Sequence, residues 1–495
     1  MSRRLLVLFL VVIMLMLAST PALALDLDLD PSTKAVLQVQ EVMDYIYRHH
    51  IDKPELNQLT EGAITGMLER LNDPYTEYLS EDILEEYKDM LDGDFVGVGL
   101  RLQENGQYTQ VLDLIPDSPA SRADIKPGDL IIKVNGENIA GLFLDEVVSK
   151  IRGPEGTTVT LTVRRDSRDI EVTLKRTPLS SPTVVSSKLS GNIGYIVVHS
   201  FGSQTADEFA VELDRLVSEG VKGLVIDLRN TPGGYLQAAV DMSGDFLPDK
   251  SLVVTTVDRD SIRDEYRSRG NAYWNDPVVI LMNELTASAS EVLAGALQDY
   301  GKAVLLGDTS YGKGVVQSII PLESGGALKL TTARYLTPKG RSINGIGLDP
   351  DVRVLTQELQ LILAKNIVSL AAETVVKFSL IDKKASINGE EIPLQAAAYK
   401  AGGVVYVPLR FAMEALGYSV SWNEDARSID LAGKNENIRL FADRASAVIN
   451  GKDVALEASI TTREGLSYMP LMAAIPGITV VDRSDEVTMV KAGRK

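Results

Sequence analysis

Soon after residue 30, apolar residues occur at every third or fourth position, which is the period of an amphipathic α-helix. This stripe consists of Val36, Val39, Met43 and Ile46. Ser32 precedes it and is of a type that caps helices. Two further helices are predicted over about residues 55–71 and 81–90. The pattern therefore predicts a helical module over residues 25–93, without a candidate catalytic group.

Beyond residue 93, short apolar runs punctuated by turn residues predict β-strands. The runs lie near residues 111–115, 130–134 and 158–164. Pro127-Gly128-Asp129 and Asn135-Gly136 are typical turn sequences between them. Since residues 145–151 have a helical pattern, we expect residues 94–178 to be a small β-barrel-like domain with one helix.

From residue 179 to residue 370, apolar β-branched runs alternate with helical patterns. Runs at residues 193–199 and 223–228 are followed by helical patterns at residues 205–218 and 237–246. Strands that alternate with helices usually form a parallel sheet covered by those helices. This segment therefore predicts an α/β layer fold.

The last segment, residues 371–495, contains an internal repeat. Asn388-Gly389 recurs as Asn450-Gly451, and Tyr406-Val-Pro408 recurs as Tyr468-Met-Pro470, in both cases 62 residues later. Each copy predicts a turn, strands, one helix and a closing strand. The whole chain is thus expected to be a multidomain α+β protein that ends in an α+β tandem repeat.

The composition of the chain excludes several classes of binding partner and of functional site. The formal net charge of −18 argues against binding to the phosphates of nucleic acids, so no nucleic-acid partner is expected. The 495 residues include no cysteine, which excludes disulfides, thiolate metal sites and cysteine nucleophiles. Only three histidines occur, His49, His50 and His199, so a Ser-His-Asp triad has few histidines to use.

The N-terminus has the pattern of an export signal. Arg3 and Arg4 precede an apolar run over residues 5–17, and Ala22-Leu23-Ala24 has the form of a cleavage site. We expect residues 1–24 to be a signal peptide and the mature protein to be exported to the cell surface, a periplasm or the medium. An uncleaved membrane anchor is the alternative.

A serine and a lysine supply candidate chemistry. Ser288 lies between an apolar strand pattern and a helical pattern, where free backbone N–H groups favour a developing anion. Lys313 lies between two glycines in apolar surroundings, and a desolvated lysine can act as a general base. If a strand follows Gly314, Gln317 lies on the same face as Lys313 and can orient its amine.

Acyl transfer also needs donors for an oxyanion. The backbone N–H of Ala289 is one candidate, and the glycine pair Gly233-Gly234, which follows a predicted strand, is the second source. Ser290 is a competing nucleophile. It lies one residue further into the helix, so its hydroxyl is expected to point elsewhere.

Residues 94–178 resemble a PDZ domain. The resemblance rests on the glycine-rich turn and on three later motifs, Ser118-Pro-Ala120, Lys126-Pro-Gly-Asp129 and Val134-Asn-Gly136. It implies that a peptide is captured by strand addition and that the backbone N–H groups of the glycine-rich turn receive its terminal carboxylate. The turn consists of Phe95, Val96, Gly97, Val98 and Gly99.

Three motifs closely resemble those of the carboxyl-terminal processing proteases, also called tail-specific proteases: Asp227-Leu-Arg-Asn-Thr-Pro-Gly-Gly234, Ser288-Ala-Ser-Glu291 and Gly312-Lys-Gly-x-x-Gln317. The resemblance covers about residues 33–355. It implies a crotonase-like core with Ser288 as nucleophile, Lys313 as general base, Gln317 as its orienting partner, and the Gly233 and Ala289 amides as oxyanion hole.

The same resemblance implies protein or peptide substrates with free carboxyl termini, which a PDZ domain recognises and gates. It also implies a homodimer formed through the helical module, and neither cofactor nor metal. Thr231 departs from the family pattern, because asparagine is usual before the Pro-Gly-Gly sequence.

The repeat region resembles, more weakly, the repeats related to the amino-terminal domain of copper amine oxidases. From residue 375 onward the chain has no histidine and no cysteine, so a copper ion lacks its usual ligands. A cell-wall partner, a regulatory partner, dimerisation and substrate presentation all stay open for this region.

Three other functions compete with the protease. The S-x-x-K pattern Ser310-Tyr-Gly-Lys313 occurs in β-lactamases, but that chemistry needs a helix, which the two glycines disfavour. A Ser-His-Asp hydrolase could use His199 and Asp227. The third is an exported PDZ scaffold without catalysis.

Overall fold

The computed structural model describes residues 30–433, 436–471, 475 and 477–492. The predicted signal peptide, residues 1–24, lies outside the described residues. By its internal contacts the chain divides into two units, Met1–Tyr78 and Leu79–Lys495. Among the described helices, none combines the length and the apolar character needed to cross a membrane.

The first unit contains helices α1 (Pro31–His49) and α2 (Leu56–Glu69), and the short strand β1 (Glu77–Leu79) follows at its boundary. The cap of α1 is Asp30 rather than Ser32, since the Asp30 carboxylate accepts the backbone N–H of Ser32 at 3.0 Å. Neither α1 nor α2 has a buried residue, and of the predicted apolar stripe only Met43 is half-buried while the other three side chains are exposed in this unit.

The second unit begins with helix α3 (Glu81–Asp92) and the β-rich segment. Its strands and helix are β2 (Asp94–Gly97), β3 (Leu100–Asn105), β4 (Tyr108–Leu114), β5 (Leu130–Val134), β6 (Glu137–Asn138), α4 (Leu144–Ile151), β7 (Thr158–Arg165), β8 (Arg168–Lys175) and β9 (Thr177–Ser180). The main sheet has the order β3-β4-β5-β7-β8, with β6 on β5, and β2 pairs with β9. Strand β3 is therefore an edge strand beside α4.

From residue 193 to residue 243 the next segment alternates strands and helices, as its pattern predicts, whereas beyond residue 243 it also has runs of consecutive strands. Its elements are β10 (Val184–Leu189), β11 (Ile193–Val198), α5 (Thr205–Ser218), β12 (Gly223–Asp227), α6 (Leu236–Ser243), β13 (Leu252–Asp258), β14 (Arg263–Arg267), β15 (Val278–Met282), α7 (Ala289–Asp299), β16 (Val304–Gly307), β17 (Val315–Pro321), β18 (Ala327–Leu336), β19 (Val352–Arg353) and α8 (Gln357–Val368).

The central sheet of this segment has the order β10-β11-β12-β15-β16-β19. All neighbours from β11 to β19 are parallel, and β10 is antiparallel. Strands β12 and β15 are buried along their whole length, as expected for central strands covered on both faces. Beside this sheet, β17, β13 and β14 form an antiparallel sheet with β18.

The C-terminal segment contains β20 (Glu373–Ser379), β21 (Lys384–Ile387), β22 (Glu390–Pro393), β23 (Tyr399–Ala401), β24 (Val404–Pro408), α9 (Leu409–Ala415), β25 (Ser419–Asn423), β26 (Ser428–Ala432), β27 (Asn437–Phe441), β28 (Ser446–Ile449), β29 (Lys452–Ala455), β30 (Thr461–Arg463), β31 (Leu466–Pro470), β32 (Ile478–Asp482) and β33 (Glu486–Ala492). The helix expected in the second copy falls mostly on residues that are not described.

The two copies of the repeat exchange strands. One sheet has the order β22-β21-β20-β33-β32 and another the order β25-β26-β27-β28-β29, so each joins the first three strands of one copy to the last two of the other. The predicted turns lie at equivalent places in the two copies, and Asn388 and Asn450 both have positive φ. The Asn388 Oδ1 atom accepts the Val375 N–H, and the Asn450 Oδ1 atom accepts the Asn437 N–H in the same way.

Helix α8 joins the C-terminal segment to the central sheet. A single hydrophobic cluster runs from Leu281 and Leu306 on the sheet, through Leu363 on α8, to Phe378 and Met489 in the repeats. A second cluster lies on the opposite face of the sheet, under α5, α6 and α7. The repeat region is therefore continuous in packing with the segment that carries the candidate chemistry.

Candidate active site

Ser288 lies in a tight turn between β15 and α7, as its sequence position predicts. Its backbone has φ +58° and ψ −119°, a conformation that L-residues rarely adopt and that is typical of strained functional turns. Ser288 is partly exposed, whereas Thr286, Ala287 and Ala289 beside it are buried. The turn therefore presents this serine to solvent and hides its neighbours.

Lys313 lies in the loop between β16 and β17 and is partly buried. The two glycines that flank it lie against the segment at residues 343–347. A Cβ atom on Gly312 would come within 2.7 Å of the Gly347 N atom, and one on Gly314 within 2.6 Å of the Asn344 N atom. Both glycines are thus required by the close approach of two backbones, which fixes the loop that carries the lysine.

The buried carboxylate of Glu291 connects the serine turn to the lysine loop. Its Oε2 atom accepts the backbone N–H of Ser288 at 2.8 Å and that of Lys313 at 3.0 Å. Its Oε1 atom accepts the Ser310 hydroxyl at 2.5 Å and the Gly312 N–H at 2.8 Å. The Glu291 carboxylate thus accepts four hydrogen bonds, which hold the serine turn and the lysine loop in a fixed position relative to each other.

Glu291 has no exposed surface, and this burial raises its pKa, because desolvation disfavours the charged form. The four hydrogen bonds act in the opposite direction. Tyr335 is also buried, and its pKa is raised well above the usual value by desolvation and by Glu291. Glu291 was not among the predicted site residues. Its position three residues after a helix cap, as in a capping box, is the signal that could have identified it.

Gly233 contacts the serine turn directly. It has φ +97°, and a Cβ atom there would come within 2.8 Å of both the Ser288 Cβ and the Ala289 N atoms. In the described part of the chain, neither the Gly233 N–H nor the Ala289 N–H has a hydrogen-bond partner. Two amide donors are therefore available beside the serine.

Thr231 supports the same loop. Its hydroxyl donates to the Val198 carbonyl at 2.6 Å, and its own carbonyl accepts the Ala287 N–H and the Ser290 hydroxyl at 3.1 and 3.0 Å. Ser290 is fully buried by this bond, so its hydroxyl points away from solvent, as the helix position predicts. Thr231 thus stabilises the loop that carries Gly233.

A charged network anchors the loop from behind. The Arg229 guanidinium pairs with the buried Asp227 carboxylate at 2.5 Å and donates to the Gln360 Oε1 atom on α8 at 2.9 Å. The Tyr195 hydroxyl donates to the same carboxylate at 2.6 Å. Asp227 is therefore engaged by Arg229 and Tyr195, and among the described hydrogen bonds none joins it to His199.

Gln317 lies on β17, half buried, and its Nε2 atom donates to the Thr331 hydroxyl at 3.2 Å. Strand β17 begins only at Val315, and a bulge interrupts its register between Val316 and Gln317. The simple alternation from which we expected Lys313 and Gln317 to share a face does not hold here, because a bulge changes the direction of the side chains that follow it.

The S-x-x-K alternative does not fit the geometry. Ser310 and Lys313 lie in a loop and not on a helix. The Ser310 hydroxyl is buried, donates to Glu291 and accepts the Leu348 N–H at 2.7 Å. This serine is thus a structural member of the lysine loop.

The predicted carboxylate-binding turn is only partly a loop. Phe95, Val96 and Gly97 belong to β2 and pair with β9. Val98 and Gly99 connect β2 to the edge strand β3, and Gly99 has φ +85°, with the Ser118 Cβ atom 2.1 Å from where its own Cβ would lie. Part of the backbone that we expected to bind a terminal carboxylate is therefore paired with β9 instead.

Comparison with known proteins gives four family matches. Residues 192–354 match peptidase family S41, residues 110–165 a PDZ domain, and residues 25–83 the N-terminal domain of the activating protease CtpB. Residues 365–480 match the copper amine oxidase N-terminal domain. The predicted PDZ domain and protease family are thus confirmed.

Curated relatives cover most of the chain. A probable CtpA-like serine protease of Staphylococcus haemolyticus is 32% identical over 85% of this chain and 80% of its own. One of Staphylococcus aureus is 36% identical over 73% of this chain and 72% of its own. Among solved structures, the photosystem II D1 C-terminal processing protease is 29% identical, covering 68% of this chain and 97% of its own with a TM-score of 0.42.

Proposed function

Since the chain belongs to peptidase family S41 and is a serine-type peptidase, we propose that Ser288 is its nucleophile and Lys313 its general base. The observation that carries the proposal is the shared Glu291 oxygen, which accepts the backbone N–H groups of both residues. It supports a site in which the serine turn and the lysine loop are held together before a substrate arrives.

The proposed reaction is peptide-bond hydrolysis through an acyl-enzyme. The Ser288 hydroxyl attacks the scissile carbonyl carbon while its proton moves to the Lys313 amine. The N–H groups of Gly233 and Ala289 stabilise the resulting oxyanion. The C–N bond then breaks as the leaving amine takes the proton from Lys313, and a water molecule hydrolyses the ester in the second half of the reaction.

Gln317 is proposed to orient the Lys313 amine. A neutral amide suits this role, because a carboxylate there would favour the charged form of the lysine. The bond from the Gln317 Nε2 atom to the Thr331 hydroxyl supports a fixed side chain.

We further propose that the enzyme is an endopeptidase that cuts proteins near their carboxyl termini and that the PDZ domain recognises those termini and gates the active site. The edge position of β3 beside α4 supports peptide capture by strand addition. The amide groups near Gly99, at the start of β3, would receive the terminal carboxylate.

We also propose that the protein is exported and that it forms a homodimer. Export is supported by the sequence pattern of residues 1–24. The dimer is supported by the exposed apolar side chains of the first unit, among them Val36, Val42 and Ile51, at 66, 53 and 88% exposure. Sedimentation equilibrium of the mature protein is expected to give twice the chain mass, and a monomer at micromolar concentration would contradict this assignment.

Hydrolysis of an unstructured protein substrate by wild type, Ser288→Ala and Lys313→Ala tests the catalytic assignment. Each variant is expected to lose at least about 1,000-fold in kcat/KM with unchanged folding, because either deletion removes proton transfer from the nucleophile. Full activity of Lys313→Ala would refute the dyad. Turnover by neither the wild type nor any variant would instead favour the scaffold function.

A further inference from the structure

A cavity of about 710 Å³ opens in the repeat region, where the first turn of α8 meets the start of α9 and the edge strand β25. This volume lies in the range of about 300–1,000 Å³ that is usual for ligand sites. None of the candidate catalytic residues lines it. The proposed peptidase activity therefore leaves this cavity without a function.

The floor of the cavity is apolar and its rim is polar. Leu394, Leu409 and Phe411 are buried and form part of the floor. Residues whose side-chain amides and hydroxyls both donate and accept hydrogen bonds also line it: Gln357, Gln395 and Ser467. The walls thus suit a ligand that combines apolar surfaces with many uncharged polar groups.

Trp422 stands at this rim. Half of its side chain is exposed (50%), so the indole is accessible to a ligand in the cavity. Its Nε1 atom donates to the Glu424 carboxylate at 2.5 Å. Trp422 also lies directly opposite Ile429 on the neighbouring strand β26. The indole is therefore held in place and can serve as a fixed aromatic platform.

The charges at the cavity disfavour an anionic ligand. Of the residues that line it, all of which are described, Arg410 is the single cation and Glu358 the single anion. Arg410 is neutralised by the buried carboxylate of Glu414 at 3.2 Å. No surplus positive charge is left to attract a phosphate or a carboxylate.

The edge of β25 is also partly occupied. The Arg410 guanidinium donates to the Val420 carbonyl of this strand at 3.0 Å. A peptide that added to β25 as a further strand would need that carbonyl. Strand addition is thus disfavoured at this edge, and an uncharged ligand that binds through side chains is favoured.

We propose that this cavity binds a neutral oligosaccharide. The apolar C–H face of a sugar ring packs on an indole, because its weakly positive hydrogens meet the negative face of the π system. The sugar hydroxyls and acetamido groups pair with the surrounding amides and hydroxyls. The repeat region would then hold the peptidase on a glycan surface, independently of its catalytic residues.

Tryptophan fluorescence tests this proposal directly, because the chain has only two tryptophans, Trp274 and Trp422, and Trp274 is buried. The full chain carrying Ser288→Ala is titrated with tetramers of N-acetylglucosamine and of glucose. We expect a saturable shift of the emission with at least one of them, retained in Trp274→Phe. Calorimetry is expected to show that Trp422→Ala weakens binding about tenfold or more.

Ile381→Ala, at an exposed apolar position in the same region (79% exposed), is the matched control and should bind like the parent. If Trp422→Ala is misfolded by circular dichroism, Gln357→Ala and Gln395→Ala replace it, with the same expected loss. No binding of either tetramer, equal binding by the variants, or binding of an uncharged peptide instead would overturn the proposal. These binding measurements do not depend on peptidase activity, because the parent and every variant carry Ser288→Ala.

Discussion

At the scale of single residues, Glu291 organises the candidate site although no chemistry is assigned to it. Ser288, Lys313 and Gly233 could be predicted because each occupies a recognisable local position, a helix start or a glycine-flanked loop. Glu291 occupies a capping-box position, which indicates only its bond to the Ser288 N–H. Its other three donors, at Ser310, Gly312 and Lys313, come from a loop 19 to 22 residues away. Local patterns do not report such distant partners.

Glu291→Gln is expected to lower kcat/KM about 100-fold, since the amide nitrogen that replaces one oxygen would face two N–H or O–H donors. The loss of charge-assisted bonds should also lower the melting temperature. Steady-state kinetics and thermal unfolding check both effects. Glu284→Gln, at an exposed position of the same turn, is the control and should match wild type. Unchanged kinetics in Glu291→Gln would show that the site does not depend on this carboxylate.

Asp245, which follows α6, gives a prediction for pH dependence. Burial, and then the charge of Asp214, raise its pKa to about 6, against 3.8 for the free side chain. A carboxyl with a raised pKa in the folded state binds its proton more tightly when folded, so its contribution to stability is lost as pH rises from about 4 to about 6.

Asp245→Asn is therefore expected to raise the free energy of unfolding by about 1–3 kcal/mol at pH 7.5 and to have little effect at pH 4. Urea unfolding at the two pH values measures this difference. The exposed Asp249→Asn is the control. An equal effect of Asp245→Asn at both pH values would contradict the assigned cause.

At the scale of elements, the sequence pattern predicts most strands and helices, but it does not predict bulges or pairings between strands that are distant in sequence. The parallel direction of the strands from β11 to β19 was predictable from the alternation of strands and helices, but their order was not. The pairing of β2 with β9 was not, because the two strands lie on opposite sides of the PDZ segment in sequence. The bulge before Gln317 depends on its partner strand β18, which single-strand periodicity cannot reveal. The crotonase-like character of the core and the exact domain boundaries stay predictions.

The edge strand β3 leads to a prediction on peptide recognition. The full chain carrying Ser288→Ala should bind a peptide with a free carboxyl terminus at least about tenfold more tightly than the same peptide amidated, because only the carboxylate accepts charge-assisted bonds from backbone N–H groups. Fluorescence anisotropy compares the two peptides. Equal affinities would rule out carboxylate recognition.

At the scale of the whole molecule, the repeat was visible in the sequence and its exchange of strands was not. Asn388-Gly389 and Asn450-Gly451 predict the same two hairpins whether each copy folds alone or borrows strands from the other. The choice depends on which partners bury Val376, Phe378 and Met489, and these lie in one cluster that spans both copies and α8.

A chain that ends at Ala432 is therefore expected to lose protection of β20, β21 and β22 as well, although their sequence is intact. These strands would lack β33 as their neighbour, and the buried face beside α8 would be exposed. Hydrogen exchange of the shortened and full chains measures this protection. Protected amides in β20–β22 of the shortened chain would show that the first copy folds by itself.

The exchange of strands also constrains how this region can change in evolution. The two copies form one folding unit, because two of the sheets take strands from both of them. Descendants could gain or lose the repeats as a pair, but the deletion of one copy would leave its mate without a partner.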